Sequence, residues 1–195
     1  MTDDRSGSLA DRVKRRAGAW AAGLVAVAAL AGAAMLVYGH GSGVDAFYER
    51  WGVDPAHLPY DPHANARADI AAGKARAAAS GKLLMVTFGA NWCPDCLTLH
   101  KDLEDPVTRD YARHTFEMVN VDVGEPGKNA DLARELGLDL NGIPLAVFFG
   151  PDGRPFSDTS GGELEPARHY SSHDILGFLR EVAVHRRVVS PELPL

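Results

Sequence analysis

Cysteine is almost missing from this chain: of 195 residues, only Cys93 and Cys96 carry a thiol. Two thiols cannot fill the four positions of a structural zinc site, and none of the eight histidines stands at a ligand-like spacing from them. Leu97 follows the pair directly, which excludes the Cys-x-x-Cys-His pattern of haem attachment. No cysteine is available near the N-terminus for a lipid anchor. Positive charge is also in short supply. The net charge is −6, and residues 1–16 alone carry +2, so the remainder carries −8. An acidic body of this kind argues against a nucleic-acid-binding surface. No internal repeat is visible, and the length suits one ordinary domain with appendages.

Charge of either sign is absent from Ala17 to Val44. Residues 17–38 are mostly Ala, Gly, Leu and Val, and a helix of about 20 such residues spans a bilayer. Arg12, Lys14, Arg15 and Arg16 stand at its N-terminal end, the end that the positive-inside rule keeps in the cytoplasm. Trp20 and Tyr38 sit near the two ends, where interfacial aromatics are favoured. A cleaved signal peptide is the alternative, but its apolar core is usually about 7–15 residues long. The expected layout is therefore a cytoplasmic tail (1–16), a transmembrane helix (17–38), an extracytoplasmic linker (39–63), one domain (64–187) and a C-terminal tail (188–195). The protein would cross the cell membrane once with its domain outside the cytoplasm, on the periplasmic side in a Gram-negative cell. Within the linker, Val44, Phe47, Tyr48 and Trp51 fall at helical spacing and predict a short amphipathic turn.

The two cysteines lie in Trp92-Cys93-Pro94-Asp95-Cys96, between the apolar run Leu83 to Phe88 and a helix-like stretch. A continuous apolar run reads as a strand covered on both faces. At a strand-to-helix junction the first sulfur meets unpaired N–H groups and the positive end of the helix, which favour its thiolate. Cys96, Leu99, His100 and Leu103 share a helical face, which turns the second thiol inward and leaves the first at an exposed tip. A disulfide closing so small a ring is a poor staple: chain entropy gives it about 2 kcal/mol, against about 5 for a hundred-residue loop. A switch is the better use of such a pair. Around it the pattern predicts a helix over 65–80, strands near 116–123, 145–149 and 154–159, a short helix over 129–137, and a helix starting near Ser171 with Ile175, Leu179 and Val182 as its core stripe. Asp102-Leu103-Glu104-Asp105 reads as solvated surface.

The motif Trp92-Cys93-Pro94-Asp95-Cys96, followed about fifty residues later by Gly142-Ile143-Pro144, resembles the thioredoxin superfamily. Within it the chain is similar to bacterial membrane-anchored or exported thioredoxin-like proteins, over roughly residues 64–187. The resemblance implies an α/β thioredoxin-like fold, a central mixed β-sheet flanked by helices, preceded here by the single transmembrane helix. It implies Cys93 as the attacking nucleophile and Cys96 as the resolving thiol. It also implies a cis bond before Pro144, with Ile143 offering its backbone to a substrate chain, and Trp92, Pro94 and Asp95 beside the substrate. No organic cofactor and no metal is implied. The expected partners are exported proteins with thiols or disulfides, and a membrane electron donor if the protein works as a reductase.

Two positions depart from the family pattern. Thr87 stands six residues before Cys93, where many thioredoxins carry a buried acid, and a hydroxyl cannot serve as that base. Asp95 places a carboxylate between the thiols, which opposes a nearby thiolate and points toward reductase rather than oxidase work. A non-catalytic docking module built on the same fold, and a copper(I) carrier using both thiolates, are the competing readings.

Overall fold

The computed structural model describes residues 42–186. The expected tail, membrane span and C-terminal tail at 1–16, 17–38 and 188–195 lie outside the described residues; among the described residues no helix is long and apolar enough to cross a membrane. The chain divides into two units, Met1–Phe47 and Tyr48–Leu195. The described part of the first is the opening of helix α1 (Ser42–Arg50), where the apolar spacing predicts a helical turn.

The second unit is built on a four-stranded sheet of β1 (Leu83–Gly89), β2 (Phe116–Asp122), β3 (Leu145–Phe149) and β4 (Pro155–Asp158), in the order β2-β1-β3-β4. β1 runs parallel to β2 and antiparallel to β3, and β4 is antiparallel to β3. Every residue of β1 is buried, because alternate side chains enter two different cores. Leu83 and Met85 join Leu99 and Leu103 of α3 (Pro94–Glu104), Ala112 of α4 (Pro106–Thr115), and Ile175, Phe178, Leu179 and Val182 of α6 (Ser172–His185). Leu84, Val86 and Phe88 join Ile70 and Ala77 of α2 (Ala66–Ser80) and Leu132 and Ala133 of α5 (Ala130–Glu135) on the opposite face. Each fully buried Leu or Phe contributes about 1.5–3 kcal/mol of transfer free energy. The sheet is thus clamped from both sides, and its β1 end is the fixed platform from which the cysteine loop departs.

Local chemistry sets the helix limits. Asn65 caps α2 by accepting the Ala68 N–H at 3.1 Å, and Gly81 ends it at φ 72°. Ser171 and Asp174 exchange side-chain and backbone hydrogen bonds at the start of α6. Gly73 sits inside α2 because the helix lies directly on the sheet: a Cβ there would come 2.7 Å from Val119 Cγ2 and 3.0 Å from Leu84 Cδ1. Gly73→Ala raises helix propensity by about 1 kcal/mol, yet overpacking of a filled core costs about 1–3 kcal/mol. The substitution is therefore expected to lower stability, and a rise in the urea midpoint would refute the close-packing argument.

The stretch after the cysteines departs from expectation. One helix is predicted before β2, but two form, and the acid-rich segment that reads as solvated surface joins them. Asp105 ends α3 and caps α4, its Oδ1 accepting the Val107 N–H at 2.9 Å, with Pro106 at the first helical position. Asp102 and Leu103 are buried. Asp102 Oδ1 accepts from Ser172 Oγ at 3.2 Å, its Oδ2 has no partner, and burial pushes its carboxyl upward. Asp102 faces inward because α6 packs against this turn: Thr108 Oγ1 also donates to Ser172 O at 2.8 Å. A 3₁₀ turn at Ala167–His169, absent from the pattern reading, precedes α6.

Candidate active site

β1 ends at Gly89 and the chain turns through Ala90, Asn91 and Trp92 into Cys93, which is the N-cap of α3, with Pro94 at its first position. Pro suits that place because its missing N–H would be unpaired there in any case. The cap is a sulfur: Cys93 Sγ accepts the Cys96 N–H at 3.2 Å. Both cysteines are free thiols, with Cys96 donating to Cys93 across 2.6 Å. One turn of helix thus brings the sulfurs close enough to bond with little movement. The Cys93 thiol is held below its usual range, first by the hydrogen bond from Cys96 and further by the Cys96 and Asp95 N–H groups, against the opposing effects of burial and of the Asp95 charge. Burial, reinforced by the neighbouring Cys93, pushes the Cys96 thiol far above the ordinary thiol value. The pair is asymmetric: the first sulfur can ionise, and the second keeps its proton until the first is engaged.

Cys93 is not the exposed tip that helical phasing suggests. It is 4% exposed, because Ile143 closes over it: Cys93 Sγ lies 3.7 Å from Ile143 O. The Ile143–Pro144 bond is cis, and β3 begins directly after it, antiparallel to β1, which brings this segment against the cysteine loop. Beside it runs an open groove lined by Trp92, Val123, Pro126, Leu140, Gly142 and Ile143, with about 310 Å³ of space. Trp92 is 59% exposed and donates from Nε1 to Gly124 O at 3.0 Å. It is a wall of the groove rather than a cover over the sulfurs.

Asp95 does not face a substrate. Its carboxylate is buried and turned back into the protein, where Oδ1 accepts the backbone N–H and Nε of Arg168, each at 2.9 Å, and Oδ2 pairs with Nη2 of the same arginine. The 3₁₀ turn exists at the place where it delivers this guanidinium. Asp95 therefore opposes the Cys93 thiolate much less than an unpaired carboxylate would, and the charge argument for reductase work loses most of its force. Arg168→Ala is expected to raise the pH midpoint of Cys93 alkylation by iodoacetamide, and Asp95→Asn to lower it. Equal midpoints in both variants would show the pair to be electrically silent.

The segment read as a linker supplies a further part of the site. Tyr60 is 2% exposed and packs with Ala90, Cys93 and Cys96. Side chains fasten it from below: Asn91 Oδ1 accepts the Tyr60 N–H at 3.1 Å and Asn91 Nδ2 donates to Tyr60 O at 2.7 Å. Asn120 Nδ2 holds Pro59 O at 3.1 Å, and Lys128 Nζ holds Pro62 O at 2.7 Å. Gly89 is required under the ring, since a Cβ there would stand 2.4 Å from the Tyr60 hydroxyl.

A family model described as thioredoxin-like matches residues 65–151. The disulphide isomerase from Xylella fastidiosa Temecula1 shares 35% identity, aligns over 65% of this chain and 97% of its own, and superposes with a TM-score of 0.62. The chain belongs to the thioredoxin superfamily. A thioredoxin from Thermus thermophilus is 25% identical over 65% of this chain and 88% of its own, with a TM-score of 0.45. In this superfamily member, Cys93, Cys96, Trp92, Pro94, Ile143 and Pro144 come together at one end of the sheet, as their motif implies. Tyr60, Asn91 and Arg168 belong to the same site and had no local signal. Tyr60 and Asn91 are 31 residues apart, and Asp95 and Arg168 are 73 apart. Among the described residues no cluster of three or more His, Cys, Asp or Glu side chains could hold a metal ion.

Proposed function

We propose that this protein is a thiol–disulfide oxidoreductase that acts on exported proteins through Cys93 and Cys96. The observation that carries the reading is the asymmetric pair at the start of α3: a thiol shifted toward ionisation touching a buried one at 2.6 Å, beside the backbone of Ile143. The Cys93 thiolate attacks a substrate disulfide, one substrate sulfur leaves as a thiolate, and the other stays bonded to Cys93. Cys96 then displaces it, closing the Cys93–Cys96 disulfide. Every step is reversible, so the same groups reduce, oxidise or rearrange a client according to which form of the pair is supplied. The 35% identity to a protein described as a disulphide isomerase supports work on protein disulfides. Because Arg168 neutralises Asp95, we place the protein among reductases and isomerases on that kinship and not on the carboxylate.

The anchor at 17–38 and the extracytoplasmic position of the domain belong to this proposal. A reporter that fluoresces only in the cytoplasm, fused after residue 195, is expected to stay dark. The decisive test of function is catalysed reduction of insulin by dithiothreitol, together with reactivation of a scrambled, disulfide-containing enzyme. Wild-type protein that accelerates neither refutes the reading.

A further inference from the structure

The chemistry just proposed leaves one proton unaccounted for. Cys96 has 0% of its surface exposed, and it must lose its proton as it attacks the mixed disulfide at Cys93. Thr87 stands on β1 six residues before Cys93 and cannot act as a base. Cys93 is itself bonded to substrate at that moment, and the other protic side chain packed in the same buried cluster as Cys96 is Tyr60. Tyr60 also lines a small cavity of about 100 Å³, together with the polar Thr87, His100, Glu104 and Asn120 and three apolar side chains. A cavity with that many polar walls has the room and the partners for water.

We propose that Tyr60 is a catalytic residue whose hydroxyl passes the Cys96 proton into the cavity lined by His100 and Glu104. This rests on the oxidoreductase reading above and adds its proton path. In the step, the Cys96 S–H bond breaks and a new O–H bond forms at Tyr60, while the original phenolic proton moves to cavity water and on to the His100 imidazole. The freed electron pair on Cys96 forms the bond to Cys93. The bond from Cys93 to the substrate breaks, and the substrate departs as a thiolate that takes a proton from solvent. Charges and electrons balance with no added reagent.

The surroundings suit a relay that never rests as tyrosinate. Burial, with Cys96, Cys93 and Asp122 adding to it, pushes the Tyr60 phenol well above its ordinary range, so a net charge does not settle there. Asp122 is itself paired with Lys128 at 2.6 Å. Burial lowers His100 below its ordinary value of 6.5, leaving it neutral and able to accept at pH 7; Glu104 acts weakly the other way and is paired with Arg113 at 2.6 Å.

Tyr60→Phe keeps the ring over Gly89 and removes only the oxygen. In stopped-flow mixing of the reduced protein with glutathione disulfide, formation of the Cys93 mixed disulfide is expected at the wild-type rate. Its resolution is expected to slow about 100-fold, the usual worth of a positioned proton-transfer group, with the adduct visible by mass spectrometry. His100→Gln, which leaves Tyr60 in place, is expected to remove the inflection below pH 6.5 from the resolution step. Resolution of the Phe variant at the wild-type rate overturns the proposal, and an unchanged pH profile in His100→Gln overturns the cavity as the route. Failure of the oxidoreductase reading is distinct, because wild-type protein would then form no mixed disulfide at all.

Discussion

Cys93→Ser is expected to bring disulfide turnover to the uncatalysed background, while Cys96→Ala is expected to perform the first step and stop. The difference follows from the position of the two sulfurs. Cys93 caps α3 and receives hydrogen bonds from the Cys96 thiol and N–H, so it is the sulfur expected to ionise and attack. A serine hydroxyl in its place is neither ionised nor able to form a disulfide. With Cys96 removed, the bond between Cys93 and its client has no intramolecular attacker and accumulates, which makes the variant a trap for clients in cells. The alkylation profile supplies the sign. Thiolate is the reacting form, so the rate rises with pH and levels off above the Cys93 midpoint. In wild type that midpoint lies below the ordinary 9.0. Cys96→Ala deletes the largest favourable contact and is expected to move the midpoint up. A turnover rate in Cys93→Ser equal to wild type, or an unchanged midpoint in Cys96→Ala, would contradict these assignments.

Phe148→Ala carries the largest expected cost in stability, about 3–5 kcal/mol. Phe148 is fully buried in β3, with Phe116, Phe156 and Phe178 at ring-centroid distances of 6.1, 6.3 and 6.1 Å. Removing it opens a hole between the sheet and α6 that three rigid rings cannot collapse to fill. That loss is a large part of the roughly 5–15 kcal/mol that holds a domain together, and a fall in melting temperature of roughly 10–15 °C follows. The effect reaches the site as well, because β3 is the strand that carries Ile143 and Pro144 to the sulfurs. Thermal unfolding of the reduced variant checks the first claim, and a loss of less than about 1 kcal/mol would mean the ring cluster is loosely packed.

These two sites also show where sequence is legible. β1, β3 and α6 are visible in the chain because their evidence is local: an unbroken apolar run, a second run after Pro144, a Ser-x-x-Asp start with a stripe behind it. Cys93 and Cys96 are visible for the same reason. The second helix before β2 is hidden because Pro106 interrupts the pattern and Asp102 breaks the rule that acids face water. Only the arrival of Ser172 from seventy residues away makes that burial tolerable. Arg168 and Tyr60 are invisible on the same grounds: nothing near them in the chain announces a partner, and their meaning appears only when the fold closes.

The mooring of Pro59 to Pro62 by Asn91, Asn120 and Lys128 makes this stretch part of the domain and not free tether. Tyr60 can leave the sulfurs only if these four hydrogen bonds give way, so the working surface of the domain begins at Pro59 and not at the start of α2.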